Sequence, residues 1–253
     1  MCLWCGGESP NLSKAACAAV QDHRAVLRYL THHSSNWGID PTSLFVGGES
    51  AGAITTLISA YWDQDEATAF APNAFDTMGG LDNSGNELTD SWTLRRIINN
   101  CDAINSLTVL DNNELLPIVS FHDDGDCVVP FDTAPAIGCF CSGFFSASGS
   151  NQIHTKYGQE EASSQLNAVQ LSLGHCSYPV AKIIDHSACL MKQTLCGTLV
   201  YTTNHDLAAA AVCANMGLDL SVNDTCPEDL NNDQIVNTKD LLQLLTQFGQ
   251  SCE

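Results

Sequence analysis

The sequence is poor in positive charge: nine Lys and Arg stand against 29 Asp and Glu, for a formal net charge of −20 over 253 residues. Nucleic acids and anionic membrane surfaces are held through basic footprints, so neither is expected as a partner. Long apolar runs are missing as well. No stretch reaches the 18 or so residues that a membrane-spanning helix needs, so no such span is expected. Zinc-site spacing is also lacking, since Cys2 and Cys5 form one CxxC without a second, and Cys139 and Cys141 form a CxC. The start, Met1 to Cys5, has neither the basic region nor the apolar region of a secretory leader.

What the chain does have is cysteine. Thirteen are spread from Cys2 to Cys252, a pattern of disulfides made in an oxidising, secreted or extracellular setting. The odd count leaves one thiol over. Disulfides without a visible leader give the expectation that the N-terminus is incomplete. The length suits one α/β domain with a small appendage, and the hydrophobic share of 44% is that of a folded protein.

Apolar residues Ala16, Val20, Leu27 and Leu30 fall on one stripe and predict a helix over 13–33. Leu44, Phe45 and Val46, bounded by turn residues, predict a buried strand over 43–47, and the small and apolar residues of 51–62 a buried helix. Residues 64–92, rich in Asp, Gly and Asn, read as a long loop or lid over the site. Strands are expected at 96–99, 116–121 and 168–173, a helix at 155–167, loop at 138–152 and closing helices within 176–215. Alternating strands and helices imply an α/β architecture with a mainly parallel sheet covered on both faces.

Ser50 lies in Gly48-Glu49-Ser50-Ala51-Gly52, between the predicted strand and helix. A nucleophile on such a turn has strained backbone angles, and nearby glycines let strand and helix converge. The amide of Ala51, at the helix N-terminus, is placed to donate to an oxyanion. The run Gln21-Asp22-His23-Arg24-Ala25-Val26-Leu27-Arg28, then Gly38-Ile39-Asp40-Pro41, then Gly47-Gly48-Glu49-Ser50-Ala51-Gly52-Ala53 resembles the α/β-hydrolase superfamily, in its carboxylesterase and lipase-like branch. The resemblance spans about residues 15–200. It implies a triad in the order serine, acid, histidine. His122-Asp123-Asp124-Gly125-Asp126-Cys127-Val128-Val129-Pro130 is similar to the family's acid segment and makes Asp126 the acid, with Asp123 and Asp124 as rivals. His175, in Gly174-His175-Cys176-Ser177-Tyr178, matches the histidine. His122 is assigned a structural hydrogen bond, and His23, His32 and His33 surface or packing roles. His154, His186 and His205 suit the catalytic place less well. No cofactor is needed for this acyl-transfer chemistry.

The resemblance also implies earlier strands and a second oxyanion donor that this sequence does not supply. The strand at 43–47 is therefore expected to have one unpaired side, a candidate surface for homodimers. From Cys226 the character changes. Asp229, Asn231, Asp233, Ile235 (by its carbonyl), Asn237 and Asp240 stand at calcium-loop positions, and Leu241 to Phe248 form an amphipathic run before Gly249. The segment resembles one repeat of a type I dockerin, which implies Ca2+ and a cohesin-like partner. The domains are thus expected at 1–222 (hydrolase) and 226–253 (calcium-loop repeat).

The function expected is a secreted serine hydrolase acting on carboxylic esters, small or derived from extracellular polymers. The alternatives are a relative of dienelactone hydrolases or prolyl peptidases, and an inactive hydrolase remnant serving as a binding module.

Overall fold

The computed structural model describes residues 10–110, 115–139, 145–195 and 197–207. Helix α1 (Pro10–His32) buries Cys17, Val20, Leu27 and Thr31, together with Gln21, Arg24 and Arg28, on one stripe. After the short α2 (Ser34–Trp37), strand β1 (Leu44–Glu49) leads through Ser50 into α3 (Ala51–Tyr61). Helices α4 (Gln64–Phe70) and α5 (Phe75–Met78) precede β2 (Leu94–Asn100) and the short β3 (Ala103–Ile104). Then come β4 (Ile118–Asp123), β5 (Thr133–Pro135), β6 (Ser146–Gly149), α6 (Ser150–Gln159), β7 (Ser164–Val169), α7 (Val180–Leu195) and β8 (Tyr201–Asn204).

Five strands form one sheet in the order β1-β2-β4-β7-β8, and every pairing in it is parallel. β4 is buried at all six positions and shows why the sheet needs cover on both sides. Ile118 joins the core built with α1, α3 and α6, while Val119 and Phe121 join Tyr178 and Leu190 on the α7 side. A small antiparallel sheet, β3-β6-β5, lies apart from this one. The parallel sheet flanked by helices is an α/β-hydrolase-type fold. No described helix is long and apolar enough to cross a membrane.

β1 ends the sheet and pairs only with β2 among the described residues, so Phe45 and Gly47 are exposed. The calcium-loop residues Asp229, Asn231, Asp233, Ile235, Asn237 and Asp240 lie outside the described residues.

Three expectations need correction. Residues 64–92 are not a lid over Ser50. Asp63 caps α4 in a reciprocal capping box with Glu66, and the segment behind it is clamped by α1. Gln21 donates to the carbonyls of Met78, Gly79 and Gly80, Arg24 forks onto Asp82, and Arg28 holds Asn86 and the Ser84 carbonyl. Arg24 also donates to the Ser59 and Trp62 carbonyls, at the end of α3 remote from Ser50. At about 1.5 Å per residue the clamp lies some 15 Å along the helix from the serine.

The second correction is register. The helix and strand expected at 155–167 and 168–173 sit at Ser150–Gln159 and Ser164–Val169. β7 buries Ser164, Gln165 and Asn167, polar residues that hide a strand from hydrophobic patterning, whereas Leu171 and Leu173 are 96% and 86% exposed. Third, β6 and β8 occupy stretches read as loop and as closing helix.

Candidate active site

β1 and α3 converge at Ser50, whose backbone is left-handed at φ 54° with ψ −121°. The turn is held by Ser50 N–H donating to the Asn100 carbonyl (2.9 Å) and Ile54 N–H donating to the Ser50 carbonyl (3.0 Å). A side chain at Gly48 would overlap the Gly52 backbone, so the glycine before the serine is required by the close approach of strand and helix. Gly52 itself faces open space, so the same demand does not fall on it.

Ser50 Oγ lies 2.8 Å from His175 Nε2, and His175 Nδ1 lies 2.7 Å from Asp126 Oδ2. These three residues are 49 and 125 positions apart in sequence and meet at the C-terminal ends of parallel strands, where sites in such sheets form. His175 is half-buried and Asp126 is buried. The other Asp126 oxygen accepts the N–H groups of Val128 and Val129 at 2.8 and 3.2 Å. Burial pushes this carboxyl up, but the contacts with His122, His175 and the Val128 N–H outweigh it, so Asp126 is held below the usual carboxylate range.

The rival aspartates hold the loop instead. Asp123 accepts from the N–H and hydroxyl of Ser177, two residues past His175, and Asp124 accepts the N–H groups of Leu171 and Ser172. For Asp123, burial raises the carboxyl and the bonds from Ser172 and Ser177 lower it further than that, with a net downward shift. Two disulfides brace the same region. Cys101–Cys176 ties the residue after His175 to the end of β2, and Cys127–Cys139 anchors the loop behind Asp126, with Cα separations of 5.3 and 5.2 Å. Cys17 is a buried free thiol that burial pushes up to about 11.

Behind Asp126 is a buried polar cluster that sequence reading did not find. His122 Nε2 lies 3.1 Å from the Val129 carbonyl and 3.5 Å from Asp126 Oδ2, and its Nδ1 lies 2.6 Å from Ser150 Oγ. Ser150 donates to Asp102, which also accepts from Ser120 and Asn99. Asn99 in turn donates to the Ala53 carbonyl in α3. His122 alone of this set carried a sequence signal, as the first residue of the acid segment. The remaining histidines lie elsewhere in the fold. His23 bonds Ser59, His32 pairs with Asp90, His154 sits between Ser164 and Thr203, and His186 contacts Gln165. His33 packs against Tyr29 and Trp37, and His205 is exposed.

Residues 11–100 match the BD-FAE family model. That family is of the α/β-hydrolase class and esterase-like, which supports a hydrolase and agrees with the parallel sheet. The matched residues carry α1, the Ser50 turn and β2, but neither Asp126 nor His175. No curated protein and no solved structure matches the chain.

Proposed function

We propose that this protein is a serine hydrolase that cleaves carboxylic esters through an acyl-serine intermediate. The observation that carries this reading is the unbroken line from Ser50 Oγ through His175 to Asp126, at 2.8 and 2.7 Å, starting from a strained strand-to-helix turn. His175 takes the Ser50 proton as the hydroxyl attacks the ester carbonyl, then returns it to the departing alcohol. Water, deprotonated by the same imidazole, attacks the acyl-enzyme, and the imidazolium gives that proton to Ser50 Oγ as the acid leaves. Asp126 fixes the tautomer that leaves Nε2 facing the serine and offsets the charge of the imidazolium. The Ala51 N–H, first in α3, donates to the oxyanion.

The disulfides support a secreted setting, and the acidic tail supports a calcium-loaded attachment module with a cohesin-like partner. Calcium titration of the full chain tests the latter. For the reaction, the full chain is expected to hydrolyse a short p-nitrophenyl ester and to be labelled at Ser50 by a fluorophosphonate. Both signals are expected to vanish in Ser50→Ala. A wild-type chain that is folded yet unlabelled would overturn the reading.

A further inference from the structure

The catalytic acid does not end the line of polar contacts that begins at Ser50. Beyond Asp126 lies His122, wholly buried, and beyond His122 lie Ser150 and Asp102, also wholly buried. The proton count in this line is decided by its partners. His122 Nε2 faces only acceptors, the Val129 carbonyl and the Asp126 carboxylate, so Nε2 carries a hydrogen. On the other side, Ser150 has one hydroxyl hydrogen and gives it to Asp102. With that hydrogen committed, Ser150 Oγ meets His122 Nδ1 as an acceptor, so Nδ1 carries a hydrogen too. Asp102 is equipped to stay a carboxylate, since it accepts from Asn99 and Ser120 as well as from Ser150.

We infer that His122 is a positioning residue held as an imidazolium by the Ser150-bridged Asp102, and that its charge tunes how strongly Asp126 grips His175. This inference rests on the serine-hydrolase reading above. The line is a row of alternating charge: Asp102 negative, His122 positive, Asp126 negative, His175 neutral at rest. Buried charges persist when each is paired or fully hydrogen-bonded: Asp126 lies between His122 and His175, and Asp102 reaches His122 through Ser150 while accepting from Asn99 and Ser120. The other groups facing the cluster are Asp123 from β4, buried and feeling the Asp126 charge, Tyr157 from α6, which feels the Asp102 charge, and Phe131, whose ring edge meets His122 at 5.5 Å between centroids. Because His122 offsets part of the Asp126 charge, protonated His175 is less favoured than it would be beside an unmodified carboxylate.

The test is the pH dependence of Ser50 labelling by a fluorophosphonate in the full chain, wild type against His122→Asn. Asparagine keeps an amide hydrogen for Ser150 and removes the charge. The acid limb of the labelling profile is expected to move to higher pH by roughly half a unit to one unit. A role in packing alone would lower the plateau and leave the limb in place, and that result would overturn the inference while leaving the serine-hydrolase reading intact. If the variant does not fold, nitrogen-edited NMR of histidine-labelled wild type decides. Hydrogens on both His122 nitrogens at the pH of labelling support the inference, and a single one overturns it. Absence of labelling in folded wild type is the separate failure that removes the catalytic reading itself.

Discussion

The two halves of the candidate site are built in different ways. Ser50 is placed by backbone alone: a strand, a left-handed residue, a helix, and a glycine at the one point where they nearly touch. Asp126 and His175 are placed by side chains and cross-links, with three neighbouring aspartates dividing the work and two disulfides bracing the loops. The first design is local and needs only a short stretch of sequence, and the family match at residues 11–100 falls on it. The second is assembled from residues far apart, so each of its parts can be removed separately and its effect ranked.

The largest effect expected is on rate, not stability. Asp126→Asn keeps the shape but offers His175 the wrong hydrogen-bonding group at Nδ1. Ester hydrolysis should fall about 10⁴-fold, equivalent to about 5.5 kcal/mol at the transition state. Asp123→Asn and Asp124→Asn act only through the loop and should cost far less. Equal losses in all three would erase the division of labour drawn above. Next in size is the pair Cys101→Ser with Cys176→Ser. The bridge closes a separation of 75 residues against 12 for Cys127–Cys139. Loop-closure entropy then predicts losses of about 4 and about 3 kcal/mol, read by denaturant unfolding. The first removal should also slow Ser50 labelling, because Cys176 adjoins His175.

A pH effect comes third and arises outside the site. His154, enclosed between α6, β7 and β8, is lowered by burial from its ordinary 6.5 to about 4. The folded state therefore binds this proton less readily than the unfolded chain does. Stability is fully present above pH 6.5 and is lost as pH falls from there towards 4, by about 3 kcal/mol in all. Denaturant midpoints at intervals across that window should decline before the carboxylates titrate. His154→Gln should flatten the decline. An unchanged slope in that variant would assign the loss to other groups.

How much of this was legible follows the same division. The strand, turn and helix at Ser50 could be read because their signals lie within about ten residues. Asp126 and His175 were readable only through their order and their flanking motif. Asp102 and Ser150 could not be read, since nothing local marks a buried aspartate or serine whose partners, Asn99 apart, lie 18 to 48 residues away. β7 was displaced by four residues because its burial rests on Ser164, Gln165 and Asn167, while exposed Leu171 and Leu173 imitate its continuation. Arg24 and Arg28 carry no local sign of burial in the sequence. They are buried clamps, because backbone carbonyls at the end of α3 and in the loop behind α5 supply their acceptors.

The smallest effects test whether the Ser50 half is as purely a matter of backbone as it looks. At Gly48 an added methyl group would meet the backbone of Gly52 and Ala53, which no side-chain motion relieves. Gly48→Ala should therefore cost about 1–3 kcal/mol and disturb Ser50 labelling in proportion. At Gly52, inside α3, the same methyl meets nothing within 4 Å. There alanine should add up to about 1 kcal/mol, because glycine in a helix loses more conformational freedom on folding. Thermal unfolding of the two variants reads the difference directly. If Gly52→Ala destabilises as much as Gly48→Ala, the turn needs both glycines, and the close approach at Gly48 is not what sets its shape.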